Sequence, residues 1–180
     1  MKMLDKEMIK LQYLKFVDSV KTLVLSTVDD QGTPFVSYSP YVSKEGKLYI
    51  FISQIANHYK HLENNPSVDV MLIEDESQTA NLFARQRARF VCAAVNVGNE
   101  GYDDIFEQFG ERFGKNMIGM LRGLDFSLFE LTVSDGRYVA GFGQAFDIDL
   151  TGEKFEHVAR DGHGTAKKTA ESPAAGGTHR

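Results

Sequence analysis

The sequence predicts an α+β protein built mainly on an antiparallel, barrel-like sheet. Short strand-like segments separated by tight turns recur along most of the chain, and helical segments are inserted between them. The length of 180 residues and the hydrophobic content of 42% are enough for one domain with a core of ordinary size. We therefore expect one compact domain over 1–160 and a separate C-terminal tail over 161–180.

The first half of the chain is predicted to form a helix, a hairpin, a central strand and a short helix. Apolar residues at helical spacing give the first segment a wide apolar face. The turn sequence Asp29–Gly32 separates two strand-like segments, and Leu48–Ile52 is apolar at every position, as in a central strand. The short helix ends before Pro66, because the residue preceding a proline avoids helical geometry. The predicted boundaries are 4–20 and 57–64 for the helices and 21–28, 33–38 and 48–52 for the strands.

The second half is predicted to place the remaining strands around a long, broken helix. Glu76–Leu82 is polar and is expected to form a loop or a helical turn. Glycine is costly inside helices, so the helix is expected to break at Gly110 or Gly114. The sequence Ser134-Asp135-Gly136 is typical of a turn and predicts a last antiparallel pair around it. The predicted strands cover 68–73, 83–97 (straight or bulged), 126–133 and 137–148, and the predicted helix covers 102–121.

Charge and cysteine content exclude several classes of protein. The net charge of −5 at pH 7 offers no general basic field for a nucleic-acid backbone. The single cysteine, Cys92, cannot form an intrachain disulfide and is expected to be a small buried residue. No apolar segment approaches the roughly 20 residues that cross a bilayer, and the charged N-terminus does not resemble a secretory signal. We therefore expect a cytoplasmic protein without a membrane or nucleic-acid partner.

Three arginines are candidates for binding an anion. Arg85, Arg87 and Arg89 alternate with other residues, so on a strand all three guanidinium groups leave one face. Such cations repel one another unless they share an anion, and the guanidinium group suits a carboxylate or a phosphate. The alternative is a solvated strand face neutralised by the acidic segment 74–76. The sequence leaves both interpretations open.

Histidine supplies the candidate metal ligands. His58 and His61 lie three residues apart on the predicted short helix, where they either share a ligand or form part of a solvated face. His163 lies between two glycines, which leave room beside its ring for a flat macrocycle. Imidazole is a common haem ligand, and a carboxylate that accepts its other N–H fixes the tautomer. Asp125, which precedes a predicted strand, is either a turn cap or the partner of such a histidine from another segment or subunit.

Several segments together resemble the pyridoxamine 5′-phosphate oxidase-like split-barrel superfamily. They are Leu25–Asp29 with Gly32–Pro34, Ser37–Pro40, and Ser53 through His58 to Leu62–Pro66. A second set resembles the haem-utilisation branch, the HugZ/HutZ family, and comprises 73–76, 82–87, 110–114, 125–126, 141–145 and 162–163. The resemblance covers about Leu23 to His163 and implies a split β-barrel with flanking helices that forms a homodimer.

This resemblance implies a haem-degrading oxygenase that acts in iron acquisition. Family members bind haem near the subunit interface and cleave its ring with oxygen and electrons. The sequence does not identify the electron donor of this protein. The resemblance implies that His163 is the axial ligand of the haem iron and that Asp125 hydrogen-bonds to it across the dimer. It also implies that Arg87 lies on the distal side, with Arg85 or Arg89 assigned to the haem propionates. A haem carrier or store without chemistry needs the same pocket and is an alternative.

FMN is the alternative cofactor, because much of the superfamily binds it. In the flavin-binding relatives that this superfamily resemblance implies, a Ser-x-Lys pattern precedes the Leu-x-x-Asn-Pro element. Here His58 occupies the position of that lysine. The arginine usual in the second strand is missing from Phe35–Ser37. The absence of two phosphate-pairing cations favours haem, although His58, Arg85 and Arg87 are still candidate cofactor contacts. After His163 the chain departs from the family, with a tail that lacks bulky apolar residues and contains a second imidazole, His179.

Overall fold

The computed structural model describes residues 3–158 as four helices, eight strands and two 3₁₀ turns. The helices are α1 (Met3–Ser19), α2 (Asn57–Asn64), α3 (Asp103–Phe113) and α4 (Lys115–Arg122). The strands are β1 (Thr22–Val28), β2 (Pro34–Lys44), β3 (Lys47–Ser53), β4 (Ser67–Ile73), β5 (Arg87–Asn96), β6 (Phe126–Gly141), β7 (Gln144–Ile148) and β8 (Phe155–His157). The 3₁₀ turns, Glu76–Gln78 and Leu82–Ala84, connect β4 to β5. None of these four helices combines the length and the apolar character that a membrane span requires.

Six of the strands form a closed antiparallel barrel. Their order is β3-β2-β1-β4-β5-β6, and pairing of β3 with β6, from Lys47 with Thr132 to Ser53 with Phe126, closes the ring. Closure satisfies the backbone groups that an open sheet would leave at its edges. β7 and β8 extend the sheet beyond β6. The predicted α+β class, built on an antiparallel barrel with flanking helices, is confirmed.

Two apolar cores hold the barrel and its helices together. Successive side chains of β3 alternate between them, so that Ile50 faces the barrel interior and Phe51 packs against α3 and α4. Burial on both sides explains why the predicted central strand is apolar at every position. On another side of the barrel, Tyr13 of α1 is fully buried and donates a hydrogen bond to the carbonyl oxygen of Asp149 at 2.7 Å. α1 is thereby attached to the segment that connects β7 to β8.

The helix predictions agree closely with the structure. α1 ends within one residue of the predicted boundaries at both ends, and α2 covers the predicted residues without a difference. The long predicted helix is broken at Gly114, which adopts a φ of 103°. This positive φ favours glycine because other residues meet a steric penalty there. The break allows α3 and α4 to pack against the same side of β3.

The hairpin predicted around residues 134–136 is wrong. β6 runs through these residues to Gly141, and the turn that leads into β7 lies at 141–144. Ser134 is an extra residue opposite the Val91/Cys92 step of β5, so the segment forms a bulge. Gly136 pairs with the buried residue Phe90, and a Cβ at Gly136 would lie 2.7 Å from Cδ1 of that ring. The glycine that suggested a turn is therefore required by close packing within a strand.

Candidate functional site

The three candidate arginines do not share one strand face. Leu82–Ala84 forms a 3₁₀ turn, and β5 begins only at Arg87, so the predicted start of that strand at residue 83 is wrong. Arg85 precedes the strand, where its Nε donates to the carbonyl oxygen of Glu74 at 2.6 Å and its Nη1 pairs with Glu76 at 3.1 Å. The acidic segment therefore neutralises Arg85, as the alternative interpretation predicted, and only Arg87 and Arg89 lie on the same face of β5.

Arg87 differs from its neighbours because it forms no ion pair with any residue of 3–158. Arg89 pairs with Asp69 on β4, and Arg137 on β6 pairs with Asp147 at 2.7 Å. Arg87 is half-buried, and its Nη1 donates to the carbonyl oxygen of Arg85 at 3.0 Å. The guanidinium group of Arg87 is thus the one of the three candidates whose charge is available to an external anion.

Two adjoining clefts open at Arg87. The first, which we call the arginine cleft, has a volume of about 410 Å³ and is lined by outward side chains of β4, β5 and β6, including Met71 and Arg89. The second, the hairpin cleft, has a volume of about 270 Å³ and lies beside the turn between β6 and β7. Arg87 and Val139 line both clefts, so Arg87 lies where they meet.

The hairpin cleft carries two exposed aromatic rings and the end of the described chain. Phe83 is 87% exposed and Phe142 is 70% exposed, and both line this cleft. Val158 lines it as well, and its backbone N–H donates to the carbonyl oxygen of Ala145 at 2.8 Å. His163 lies outside the described residues, five positions after Val158. Five residues of chain span at most about 18 Å. The chain length therefore allows His163, the predicted axial ligand, to reach no farther than that from Val158.

Asp125 lies at the other end of the β5–β6 ladder from Arg87. At one end of this ladder Asn96 pairs with Phe129, which lies near Asp125 in the chain. At the other end Arg87 pairs with Val139. The 10 residues of β5 separate the two ends of the ladder by about 30 Å. Asp125 is exposed, and its Oδ2 accepts a hydrogen bond from the hydroxyl group of Ser53 at 2.8 Å. A single copy of the chain therefore does not bring Asp125 and Arg87 to one site.

The two histidines of α2 have separate structural partners. Nδ1 of His58 lies 2.9 Å from the hydroxyl oxygen of Ser37, and Nδ1 of His61 lies 3.0 Å from that of Thr27. Burial, with a smaller effect of His61, lowers the pKa of His58 below its usual range, so its imidazole is neutral at neutral pH. Both imidazoles are half-buried and hydrogen-bonded, so they are only partly solvated, and no group of three or more metal-ligating side chains occurs within residues 3–158.

Other candidates contribute no chemistry at this site. Cys92 is buried as predicted, and burial raises the pKa of its thiol to about 12, which leaves it protonated and unreactive. A separate cleft of about 1120 Å³ lies between α1 and the segment after β4 and includes Arg85. Phe83 and Phe142 lie in two of the motif segments of the haem-utilisation branch, but the sequence assigned neither ring a role. A phenylalanine between two glycines, as in Gly141–Gly143, is an apolar residue in a turn and could have indicated exposure.

The chain is similar to proteins of known family. The pyridoxamine 5′-phosphate oxidase family matches residues 9–140. Over 136 residues the chain is 43% identical to heme oxygenase HutZ of Vibrio cholerae serotype O1, which covers 74% of this chain and 77% of that protein. A crystal structure of Vibrio cholerae HutZ, described as a heme storage protein, matches with a TM-score of 0.65 and 42% identity over 69% of this chain and 89% of HutZ.

A crystal structure of Campylobacter jejuni ChuZ matches with a TM-score of 0.78 and 31% identity over 88% of this chain. This chain spans only 65% of the length of ChuZ. The family match and the 43% identity agree with the closed antiparallel barrel and with the resemblance drawn from the sequence motifs. The chain therefore belongs to the HutZ/HugZ family of proteins with the pyridoxamine 5′-phosphate oxidase-like fold.

Proposed function

We propose that this chain binds haem as its substrate and degrades it oxidatively, and that this reaction releases iron for the cell. The observation that carries the proposal is the 43% identity to heme oxygenase HutZ over 74% of the chain. We place the reaction in the cytoplasm, because a chain whose only cysteine is a buried, unpaired thiol fits a reducing compartment.

The residues around Arg87 fit the chemistry of haem. A porphyrin presents a broad apolar face and two carboxylate groups at one edge, so its site needs apolar walls and a cation. Phe83 and Phe142 supply exposed aromatic surface in the hairpin cleft. Arg87 supplies a guanidinium group without a carboxylate partner in the described part of the chain. Arg85 and Arg89, the two residues assigned to the propionates, already pair with Glu76 and Asp69, which makes Arg87 the stronger candidate for an anionic group.

Three side chains have distinct proposed roles. Bound haem would supply the redox-active iron and the ring that is oxidised. The neutral imidazole of His163 would hold the iron through one ring nitrogen. The carboxylate of Asp125 would accept the N–H of the other nitrogen, which fixes the tautomer and increases the electron density on the ligand. Arg87, to which the sequence resemblance gives a distal-side role, would instead pair with a carboxylate at the edge of the ring, because Arg85 and Arg89 already have ion-pair partners.

A site that uses both Asp125 and Arg87 requires two copies of the chain. These residues lie at opposite ends of the β5–β6 ladder, about 30 Å apart along β5. The outer face of β2 offers apolar surface for such an association, because Val36 is 67% exposed and Tyr38 is 68% exposed. We therefore propose a homodimer in which each haem contacts Arg87 of one subunit and Asp125 of the partner subunit.

Replacing the histidines one at a time tests the axial ligand. The haem complex of the His163→Ala variant is expected to lose the wild-type Soret position, because the iron loses its imidazole ligand. His157→Ala is the matched control, since His157 is an exposed histidine at the end of β8 and should keep the wild-type spectrum. A wild-type spectrum and turnover in His163→Ala would refute the assignment of His163 as the axial ligand.

Replacing Asp125 tests the partner of that ligand. The Asp125→Asn variant should retain haem but degrade it more slowly, and wild-type turnover in this variant would remove the proposed role of Asp125.

Reduction of the haem complex in air separates degradation from storage. An enzyme is expected to lose the Soret band as a bilin product accumulates. A carrier or store, the role named for one HutZ structure, would keep the band under the same conditions. Stable haem after addition of several reductants would overturn the oxygenase proposal and leave haem binding intact.

An FMN-dependent oxidoreductase is the second candidate, and the family match over residues 9–140 favours it. Flavin phosphate binding needs cations, and His58 is a weak candidate because its pKa is lowered by burial and its Nδ1 faces the hydroxyl group of Ser37. A purified protein that is yellow and shows flavin absorption would support this alternative. We expect instead that the protein shows no flavin spectrum and develops a Soret band on addition of haem.

A further inference from the structure

We propose that Phe83 and Phe142 are the apolar walls that hold the porphyrin plane in the hairpin cleft. This inference rests on the proposed haem function and assigns the ring-binding surface to two residues to which neither the motifs nor the comparisons give a role. Both side chains line the cleft that Arg87 shares, and both are largely exposed, at 87% and 70%. Aromatic side chains of this size are strongly stabilised when a flat apolar ligand covers them.

The backbone around each ring keeps it pointed out of the barrel. Phe83 lies in the 3₁₀ turn Leu82–Ala84, where the side chain of Asn81 accepts a hydrogen bond from its backbone N–H at 3.0 Å. Phe142 lies in the turn between β6 and β7 and is followed by Gly143, whose φ is 69°. A Cβ on Gly143 would meet no atom within 4 Å apart from its chain neighbours, so the space beside this glycine is open. Each ring is thus displayed by a short turn anchored in the sheet.

The charge beside these rings determines the class of ligand. Arg87 lies at the junction of the two clefts and has no ion-pair partner in the described range. Its planar guanidinium group binds a carboxylate in bidentate fashion. Two aromatic walls beside one such cation select a flat, apolar molecule that carries carboxylates at its edge. Iron takes no part in this recognition, so a porphyrin without a metal is expected to bind to the same walls.

Titration with haem and with iron-free protoporphyrin IX tests the inference without measuring turnover. Phe83→Ser and Phe142→Ser are each expected to weaken both affinities about tenfold, which corresponds to about 1.4 kcal/mol. The leucine variants should weaken them less, because they keep apolar surface. Met8→Ser is the control, since Met8 is 65% exposed on α1 and lies away from this cleft. The Soret position of the serine variants should match the wild type, because their axial ligand is unchanged.

The outcomes separate this inference from the function on which it rests. Wild-type protein that binds neither haem nor protoporphyrin IX would overturn both. Wild-type binding with unchanged affinity in both serine variants would overturn the role of the aromatic walls and leave the haem function standing. Sedimentation without ligand provides the remaining comparison. A serine variant that dissociates into monomers would assign these rings to the subunit interface and would also overturn the inference.

Discussion

Replacing Gly136 with alanine tests whether β6 continues past the bulge at Ser134. The added Cβ would lie 2.7 Å from Cδ1 of Phe90 and 3.0 Å from the carbonyl oxygen of Ile148. The Phe90 ring is fully buried, and Ile148 is paired with Gly136 in the β6–β7 ladder, so neither neighbour can move away freely. We therefore expect the variant to be destabilised by overpacking.

The expected loss combines two opposing contributions. Adding a methyl group to a closely packed core costs about 1–3 kcal/mol. Alanine recovers about 0.5–1 kcal/mol relative to glycine, because the unfolded chain has fewer conformations. The Cβ would meet both a buried ring and a backbone oxygen at 3.0 Å or less, so the cost lies in the upper part of this range, at about 2–3 kcal/mol. The net loss in the free energy of unfolding is therefore about 1–2.5 kcal/mol. For a chain of this size each kcal/mol lowers the Tm by about 2–4 °C, so the expected decrease is about 2–10 °C.

Urea denaturation followed by far-UV circular dichroism measures this loss. Gly119→Ala in α4 is the matched control, because a Cβ there meets no atom within 4 Å and should stabilise the protein by about 0.5–1 kcal/mol. Adding Phe90→Leu to Gly136→Ala should cost less than the sum of the single changes, since the smaller side chain relieves the contact. Wild-type stability in Gly136→Ala would refute the continuous strand and its packing.

Three further predictions concern charge. Burial disfavours the carboxylate of Asp149, but hydrogen bonds from Lys154 and adjacent residues outweigh it and lower the pKa. The resulting stability is complete above the ordinary aspartate pKa of about 3.9 and is lost as the pH falls through the lowered value, so Asp149→Asn should flatten the acid limb of Tm against pH. Arg89→Ala removes an exposed ion pair, so thermal unfolding should show a loss of at most about 1 kcal/mol. Arg112→Met leaves the carbonyl groups that end α1 without a donor, and urea denaturation should show a loss of about 1–3 kcal/mol.

Local patterns predicted the helices and the central strand because their signals lie within a few neighbouring residues. Pro66 ends α2, Gly114 separates α3 from α4, and the continuous apolar segment around Ile50 indicates a strand covered on both sides. The strand ends in the second half were predicted less well. Ser134–Gly136 has the composition of a turn, but the same residues suit a bulge, and only pairing with β5 distinguishes the two.

By itself the sequence determined the fold class, the family and the candidate residues, because hydrophobic periodicity, turn chemistry and motifs are properties of neighbouring positions. The assignment of His163 stays a prediction. Only the tertiary structure decided which arginine retains an available charge, since Glu76 and Asp69 reach Arg85 and Arg89 from other segments. It also placed Asp125 and Arg87 at opposite ends of one ladder. Contacts between residues far apart in the chain depend on how the barrel closes, and no local pattern contains that information.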